Sequence, residues 1–195
     1  MVSLRNDWSM FRNKTRDALA AFLDRFVEAH EHDHGGLPQR EHDPEWISPC
    51  EVGAPDDQGM VAWQPMDRPR RGDFRDVEKA LGMSFHADIK AFYGSFWSGH
   101  LEARAEEGGL TLIQVWNEGD FERLCENVIG HVIAKRRTGG PMTVFIAVTD
   151  EDELMLCIDN DSGQVVLENP GQRPVQTVET SLSMFLDRLT PVVMS

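Results

Sequence analysis

Apolar residues recur at two different spacings along this chain, and the change between them restricts the fold to a mixture of helices and strands. Over residues 14–32 and again over 121–137, apolar side chains return every three or four positions, which is typical of a helix with one buried face. The first stripe consists of Leu19, Phe22, Leu23, Phe26 and Val27, and the second of Phe121, Leu124, Val128, Val132 and Ala134 to Lys135. Both segments are predicted to be amphipathic helices.

From residue 100 the apolar spacing changes to two, which indicates strands with one buried face. Residues 100–105 and 110–116 flank Glu-Glu-Gly-Gly and predict a hairpin, and 142–148, 154–158 and 165–167 predict three more strands. Another strand is predicted at 60–64, with shorter helices at 73–81, around 89–96 and at 180–189. The sequence therefore predicts a single α+β domain over residues 14–195, with an antiparallel or mixed sheet flanked by helices. Residues 1–13 lack periodicity and are predicted to be a flexible extension, and 35–59 a loop.

The charge of the chain narrows the classes of function. Its 195 residues include 19 Lys and Arg against 33 Asp and Glu, a net charge of −14. Such a protein is unsuited to nucleic acid or to anionic lipid, both of which attract basic surfaces. No apolar run is long enough to span a bilayer, and the N-terminus lacks the apolar core of a secretory signal. Three widely spaced cysteines favour reduced thiols in the cytosol.

Two groups of residues could carry chemistry. His30 and His34 stand four residues apart, so on a helix both could reach one metal ion, but no third ligand or catalytic base accompanies them. Cys125 and His131 share a helix but face about 120° apart, too far round to act as nucleophile and base. A solvated helix end and a packing cysteine are the favoured interpretations. The sequence predicts a binding protein without a metal or cofactor, not an enzyme.

Acidic residues form three groups, for which two interpretations stay open. Nine acids lie between Glu28 and Asp57 with only Arg40 opposing them, a second group begins at Asp150, and a third opens the strongest helix with Glu118, Asp120 and Glu122. Solubility and favourable contact with a helix dipole would explain any single acid. The lack of compensating bases over thirty residues instead favours a basic partner, attracted by electrostatic steering.

Several blocks of the sequence resemble the Syd family of proteobacterial SecY-interacting proteins. The blocks are ISPC at 47–50, WQP at 63–65, FY at 92–93 and LTLIQVWNEGDFERLCENVIGH at 110–131. Their order and spacing extend from about Ala18 to the C-terminus, and the chain differs mainly in its N-terminal extension and its acidic, His-rich segment after the first helix.

The resemblance implies a Smi1/Knr4-like α+β fold with a concave acidic face. It also implies binding to SecY at the cytoplasmic side of the inner membrane, as a peripheral protein that monitors assembly of the translocon. Within the best-matching block, Trp116, Glu118, Asp120 and Glu122 are the expected partner-binding residues. An immunity protein that neutralises a basic toxin or nuclease is the alternative, because the same acids would serve it.

Overall fold

The computed structural model describes residues 13–69, 73–150 and 154–193. Within these ranges the chain forms five helices. They are α1 (Lys14–His34), α2 (Arg75–Leu81), α3 (Ala87–Gly94), α4 (Glu118–Thr138) and α5 (Leu182–Arg188).

The strands of the described part form three sheets. A small sheet contains β1 (Gln39–Glu41), β2 (Glu51–Val52) and β3 (Met60–Trp63), and a two-stranded ribbon contains β4 (Met66–Asp67) and β5 (Phe96–Trp97). The main sheet contains β6 (Leu101–Ala105), β7 (Gly108–Leu112), β8 (Thr143–Thr149), β9 (Met155–Asp159), β10 (Val165–Glu168), β11 (Gln176–Glu179) and β12 (Thr190–Pro191). Its order is β11-β10-β9-β8-β7-β6-β12, and every described pair is antiparallel.

Helices cover both faces of the main sheet. On one face, His131 and Lys135 of α4 reach Thr143 of β8 and Glu168 of β10. Side chains alternate across a strand, so neighbouring residues point the other way. On that second face Leu156 and Leu167 line a cavity of about 290 Å³ together with Phe185 of α5, and α1 packs against α5. The predicted α+β domain with a sheet flanked by helices is confirmed, and its sheet is antiparallel.

The two long helices occupy the predicted segments because both ends carry suitable caps. The side chain of Asn13 accepts hydrogen bonds from the backbone at the start of α1, and Asn117 does the same for α4. Gly35 and Gly139 follow the last turns with φ of 73° and 63°, a left-handed conformation that glycine adopts without strain. These caps lengthen both helices slightly beyond their apolar stripes.

Several predicted boundaries differ from the structure: the helix predicted around 89–96 ends at Gly94, and Phe96 lies in β5. The segment predicted as a loop at 35–59 contains β1 and β2, which are too short for a detectable alternation. β7 ends at Leu112 because the backbone of 113–116 bonds elsewhere: Ile113 N–H donates to Ile146 and Val115 accepts from Ser98. β11 has no counterpart among the predicted strands, since its side chains are mostly exposed. The predicted flexible extension lies outside the described residues apart from Asn13.

A fully buried ion pair holds α4 to the sheet. Lys135 and Glu168 are both 0% exposed, and the Lys135 ammonium donates to Glu168 Oε2 at 2.8 Å and to the Gln172 carbonyl. The other oxygen of Glu168 accepts from Thr143 Oγ1 at 2.9 Å. The sequence predicted Lys135 both at the end of the apolar stripe of this helix and in a last turn suited to the helix dipole. Its burial agrees with the stripe; the sequence did not reveal that the charge enters the core with the side chain and is neutralised there by Glu168.

We predict that removing one member of this pair is much more harmful than removing both. Lys135→Met or Glu168→Leu alone leaves a buried charge without its partner and should lower the free energy of unfolding by about 3–5 kcal/mol. The double variant should recover most of that loss, because two apolar side chains need no compensation in the core. Urea denaturation of the three variants measures the coupling; additive losses would contradict it.

Candidate functional site

The start of α4 is built by hydrogen bonds among Trp116, Asn117 and Asp120. Asn117 Oδ1 accepts from the Asp120 N–H at 3.0 Å, and Asp120 Oδ2 accepts from the Trp116 N–H at 3.0 Å. Asn117 Nδ2 also donates to the Ile47 carbonyl at 3.0 Å, which ties the loop before β2 to the helix. Asp120 therefore has a local structural task that its position in an acidic group did not reveal.

Trp116 lies beneath this surface and not on it. Its side chain is part of the core at 3% exposure, its Nε1 donates to the Trp46 carbonyl at 3.1 Å, and its ring meets the Trp63 ring edge-on at 5.8 Å. The Arg40 guanidinium covers the Trp116 ring, with Cζ 4.1 Å from the ring centroid. Trp116 is therefore buried in the described structure, and its role as a partner-binding residue stays a prediction.

Glu118 balances a buried arginine. The Arg68 side chain is 3% exposed and lies between the rings of Trp97 and Phe121, with Cζ at 3.7 and 4.6 Å from the two centroids. Its Nη1 donates to the Tyr93 carbonyl, and its Nη2 reaches Glu118 Oε2 at 3.4 Å. Burial lowers the pKa of Arg68, and the Glu118 carboxylate opposes that shift. The Glu118 side chain is nevertheless 69% exposed, so it faces both the core and solvent.

Three glutamates form a line along the exposed side of α4, which we name the acidic ridge: Glu118, Glu122 and Glu126. Residues four apart lie one above another on a helix. Glu122 and Glu126 are exposed, and neither pairs with a base among residues 13–69, 73–150 and 154–193. Asp120 lies two positions after Glu118, on a different side of the helix, and does not belong to the ridge. The sequence grouped Asp120 with these acids and left out Glu126.

An exposed apolar side chain stands beside the acidic ridge. The Trp46 ring packs on Gly119, where an added Cβ would come within 2.6 Å of a ring carbon, and Arg123 Cζ stacks on the same ring at 3.9 Å. The next residue, Ile47, is 59% exposed. Gly119 is thus a residue whose role sequence reasoning missed. Its occurrence in the first turn of a helix, where glycine is unfavourable, was the available signal.

A cleft lies next to this surface, between α1, the small sheet and β6. Its volume is about 420 Å³, and its lining includes Phe26, His30, Arg40, Trp63 and Glu102. Arg40, which lines this cleft, covers the ring of Trp116, and Trp116 precedes the first turn of α4.

The ring centroids of His30 and His34 are 6.2 Å apart, but within the described residues no third possible metal ligand joins them. His30 Nδ1 contacts the Phe26 carbonyl at 2.9 Å, while His32 and His34 are exposed, with His32 beside Asp33. In the described ranges, three side chains do bring possible ligand atoms together: His131, Cys157 and Glu168. Both Glu168 oxygens, however, already accept from Lys135 and Thr143. This donor set fits the internal polar network better than a metal ion.

The three thiols are held in their neutral form. Burial raises the pKa of Cys50 to about 11 and that of Cys125 to about 11, and raises the pKa of Cys157 well above the ordinary value. A cysteine nucleophile needs the opposite shift, because the thiolate is the reactive species. The geometry therefore supports the interpretation of Cys125 as a packing residue.

We predict that these thiols alkylate slowly. A raised pKa lowers the thiolate fraction at pH 7.5, so modification of folded protein by iodoacetamide should be at least about tenfold slower than that of free cysteine. The rate should still be rising at pH 9.5, above the pKa of an ordinary thiol. Mass spectrometry of each peptide measures the rates, and the urea-unfolded protein is the control. Rapid labelling of one folded thiol at neutral pH would contradict the assignment.

Two glycines of α4 should respond oppositely to the same substitution. Gly119→Ala would drive a methyl group into the Trp46 ring and should destabilise the protein. Gly130 is exposed, and a methyl group added there would meet open space, so Gly130→Ala should raise the free energy of unfolding by about 1 kcal/mol through helix propensity. Thermal unfolding compares the two, and near-UV circular dichroism reports the Trp46 environment. Equal stabilisation by both alanines would show that the Trp46 contact is unimportant.

In the part of the chain that the structure describes, no helix has the length and apolar character that a membrane span requires.

Comparison with known proteins identifies relatives along almost the whole chain. The family model described as Syd protein (SUKH-2) matches residues 16–191. The chain is 38% identical to Protein Syd of Pseudoalteromonas atlantica over 176 residues, which is 89% of this chain and 94% of the relative. It is also 38% identical to Protein Syd of Colwellia psychrerythraea, covering 91% and 94%, and to that of Cronobacter sakazakii, covering 93% and 99%. The chain therefore belongs to the Syd family.

Proposed function

We propose that this protein is a non-enzymatic binding protein that docks on SecY at the cytoplasmic side of the bacterial inner membrane. The observation that carries the proposal is the match to the Syd family over residues 16–191, at a length close to that of its relatives. SecY-interacting proteins are what the resemblance of the sequence blocks implies. On this proposal the protein monitors assembly of the translocon complex.

Charge complementarity supports the proposed partner. Membrane channels expose Lys and Arg on their cytoplasmic loops, and this protein has a net charge of −14. The acidic ridge presents Glu122 and Glu126 without counterions among the described residues, and Ile47 adds an apolar contact beside them. A surface that combines unpaired charge with an exposed aliphatic side chain suits a basic loop that also carries apolar residues.

The same complementarity accounts for attachment without insertion into lipid. An acidic protein is repelled by anionic headgroups but attracted by basic loops that project from them. The protein would therefore be peripheral and would depend on SecY for its presence at the membrane. The alternative, an immunity protein directed against a basic toxin, would use the same acids, and recovery of a toxin in place of SecY would favour it.

The environments of the acids decide which of them can test the proposal. Glu118 neutralises the buried Arg68, and Asp120 accepts from the Trp116 backbone. Substitution of either would disturb the fold and confuse binding with stability. Glu122 and Glu126 can be neutralised with little structural consequence, because neither has an ion-pair partner among the described residues. Asp24 of α1 and Asp187 of α5 offer a matched control: both are exposed, lie on helices and pair with no base in the described ranges.

We predict that the Glu122→Gln, Glu126→Gln variant binds SecY several-fold more slowly than the parent at low salt. The control variant, Asp24→Asn with Asp187→Asn, changes the net charge equally and should retain most of the association rate. Exposed charges act mainly on association, and salt screens them. The difference between the variants should therefore shrink as the salt concentration approaches about 0.5 M. Surface plasmon resonance with SecY complex in nanodiscs measures both effects.

Two results would count against the proposal. If neither the parent nor any variant bound SecY at low salt, SecY would not be the partner. If the ridge variant and the control variant bound equally fast, docking would use another surface or the overall charge alone. Thermal unfolding of each variant ensures that the comparison is made between equally folded proteins.

A further inference from the structure

Arg40 combines partial burial with the absence of an ion pair among the described residues. It is half-buried in the cleft and stacks on Trp116, yet its guanidinium has no hydrogen bond or ion pair with any described residue. Carboxylates are near: Glu41 and Glu102 line the same cleft. In a chain with 33 acids, an arginine among carboxylates would ordinarily pair with one of them.

Three acids near Arg40 have other hydrogen-bond partners, whereas Glu41 is exposed and its side chain has none among the described residues. Both oxygens of Glu102 accept from Thr111 Oγ1, at 2.9 and 2.8 Å, and Glu51 contacts His42 Nδ1 at 2.9 Å. Asp120 accepts from the Trp116 backbone. A cation–π contact is thus the specific interaction that holds the Arg40 guanidinium, and such a contact at a partly exposed site is weak. Arg40 can leave the ring without breaking a salt bridge.

We propose that Arg40 is an internal substitute for a cationic side chain of the partner. In the free protein its guanidinium covers Trp116. On binding, an arginine of the partner enters the cleft, displaces Arg40 and stacks on the Trp116 ring between the carboxylates of Glu41 and Glu102. The inference deepens the proposed function, on which it rests only in requiring a partner that carries arginine.

The charges of the cleft favour a cation over an anion as the occupant. The lining includes two carboxylates, Glu41 and Glu102, and one arginine, and the protein as a whole repels anions. An arginine side chain offers a planar surface to the indole and up to five N–H donors to the carboxylates. The inference also assigns a role to Trp116 as an anchor that becomes available only when Arg40 moves.

The first measurement uses the parent protein and a probe that does not depend on SecY. The probe is the peptide acetyl-Gly-Arg-Gly-Arg-Gly-amide, and the observable is the indole N–H resonance of each tryptophan, assigned by Trp→Phe substitutions. Binding of the arginine should shift the Trp116 and Trp63 signals together and leave in place that of Trp97, which stacks on Arg68 and does not line the cleft. A titration that moves neither of the two cleft signals would overturn the inference.

The second measurement compares Arg40→Gln with Arg137→Gln. Both remove one positive charge, but Arg137 is exposed at the end of α4 and has no ion pair among the described residues. Removal of the internal competitor should tighten binding of the peptide by about twofold to fivefold beyond the effect of Arg137→Gln. Arg40→Lys keeps the charge and stacks more weakly on the ring, so its affinity should fall between those of the parent and Arg40→Gln.

The outcomes separate this inference from the proposed function. Tighter peptide binding by Arg40→Gln supports the inference even if SecY does not bind. Weaker binding would overturn it, because Arg40 would then support the binding site and not compete with the arginine of the peptide. Equal affinities of the two glutamine variants would also overturn it, since only the net charge would matter. If Arg40→Gln proved unfolded, the shift of the Trp116 resonance in the parent would decide.

Discussion

The buried pair of Lys135 and Glu168 fixes α4 against the main sheet, and the candidate site depends on that placement. Both side chains are fully buried, and Thr143 and the Gln172 carbonyl complete their hydrogen bonds. A buried ion pair is costly unless its geometry is satisfied, which makes the position of the helix specific. Because α4 cannot shift along the sheet without separating these charges, its first turn is held beside Trp46, Trp116 and Arg68.

The acids of the helix start have different tasks despite their adjacency. Asp120 completes the hydrogen bonds of the turn, Glu118 compensates a buried arginine, and Glu122 is exposed and available to a partner. Position on the helix explains the division. Glu118, Glu122 and Glu126 lie on one exposed line, while Asp120 faces back toward the preceding strand. An acidic stretch can therefore combine folding and recognition, and mutational tests must treat its members separately.

Three arginines near the site stack on aromatic rings. Arg68 lies between Trp97 and Phe121, Arg123 stacks on Trp46, and Arg40 covers Trp116. The planar guanidinium is weakly hydrated and stacks well, so it can be held with few hydrogen bonds. Since these cations do not neutralise Glu122 or Glu126, the acidic ridge keeps its charge. The concave acidic face implied by the family resemblance stays a prediction.

The sequence by itself determined the α+β class, the two long helices, the hairpin-linked strands and the excess of negative charge, because periodicity and composition depend only on local order. It also led to the Syd family through the block around Trp116. The tertiary structure alone decided which of those residues are accessible. Lys135 is paired with Glu168 inside the core, Trp116 is buried and covered by Arg40, and Glu126 is exposed but was overlooked. Burial and pairing arise from contacts between residues far apart in the chain, such as Arg40 with Trp116 and Lys135 with Glu168, and no local pattern encodes them.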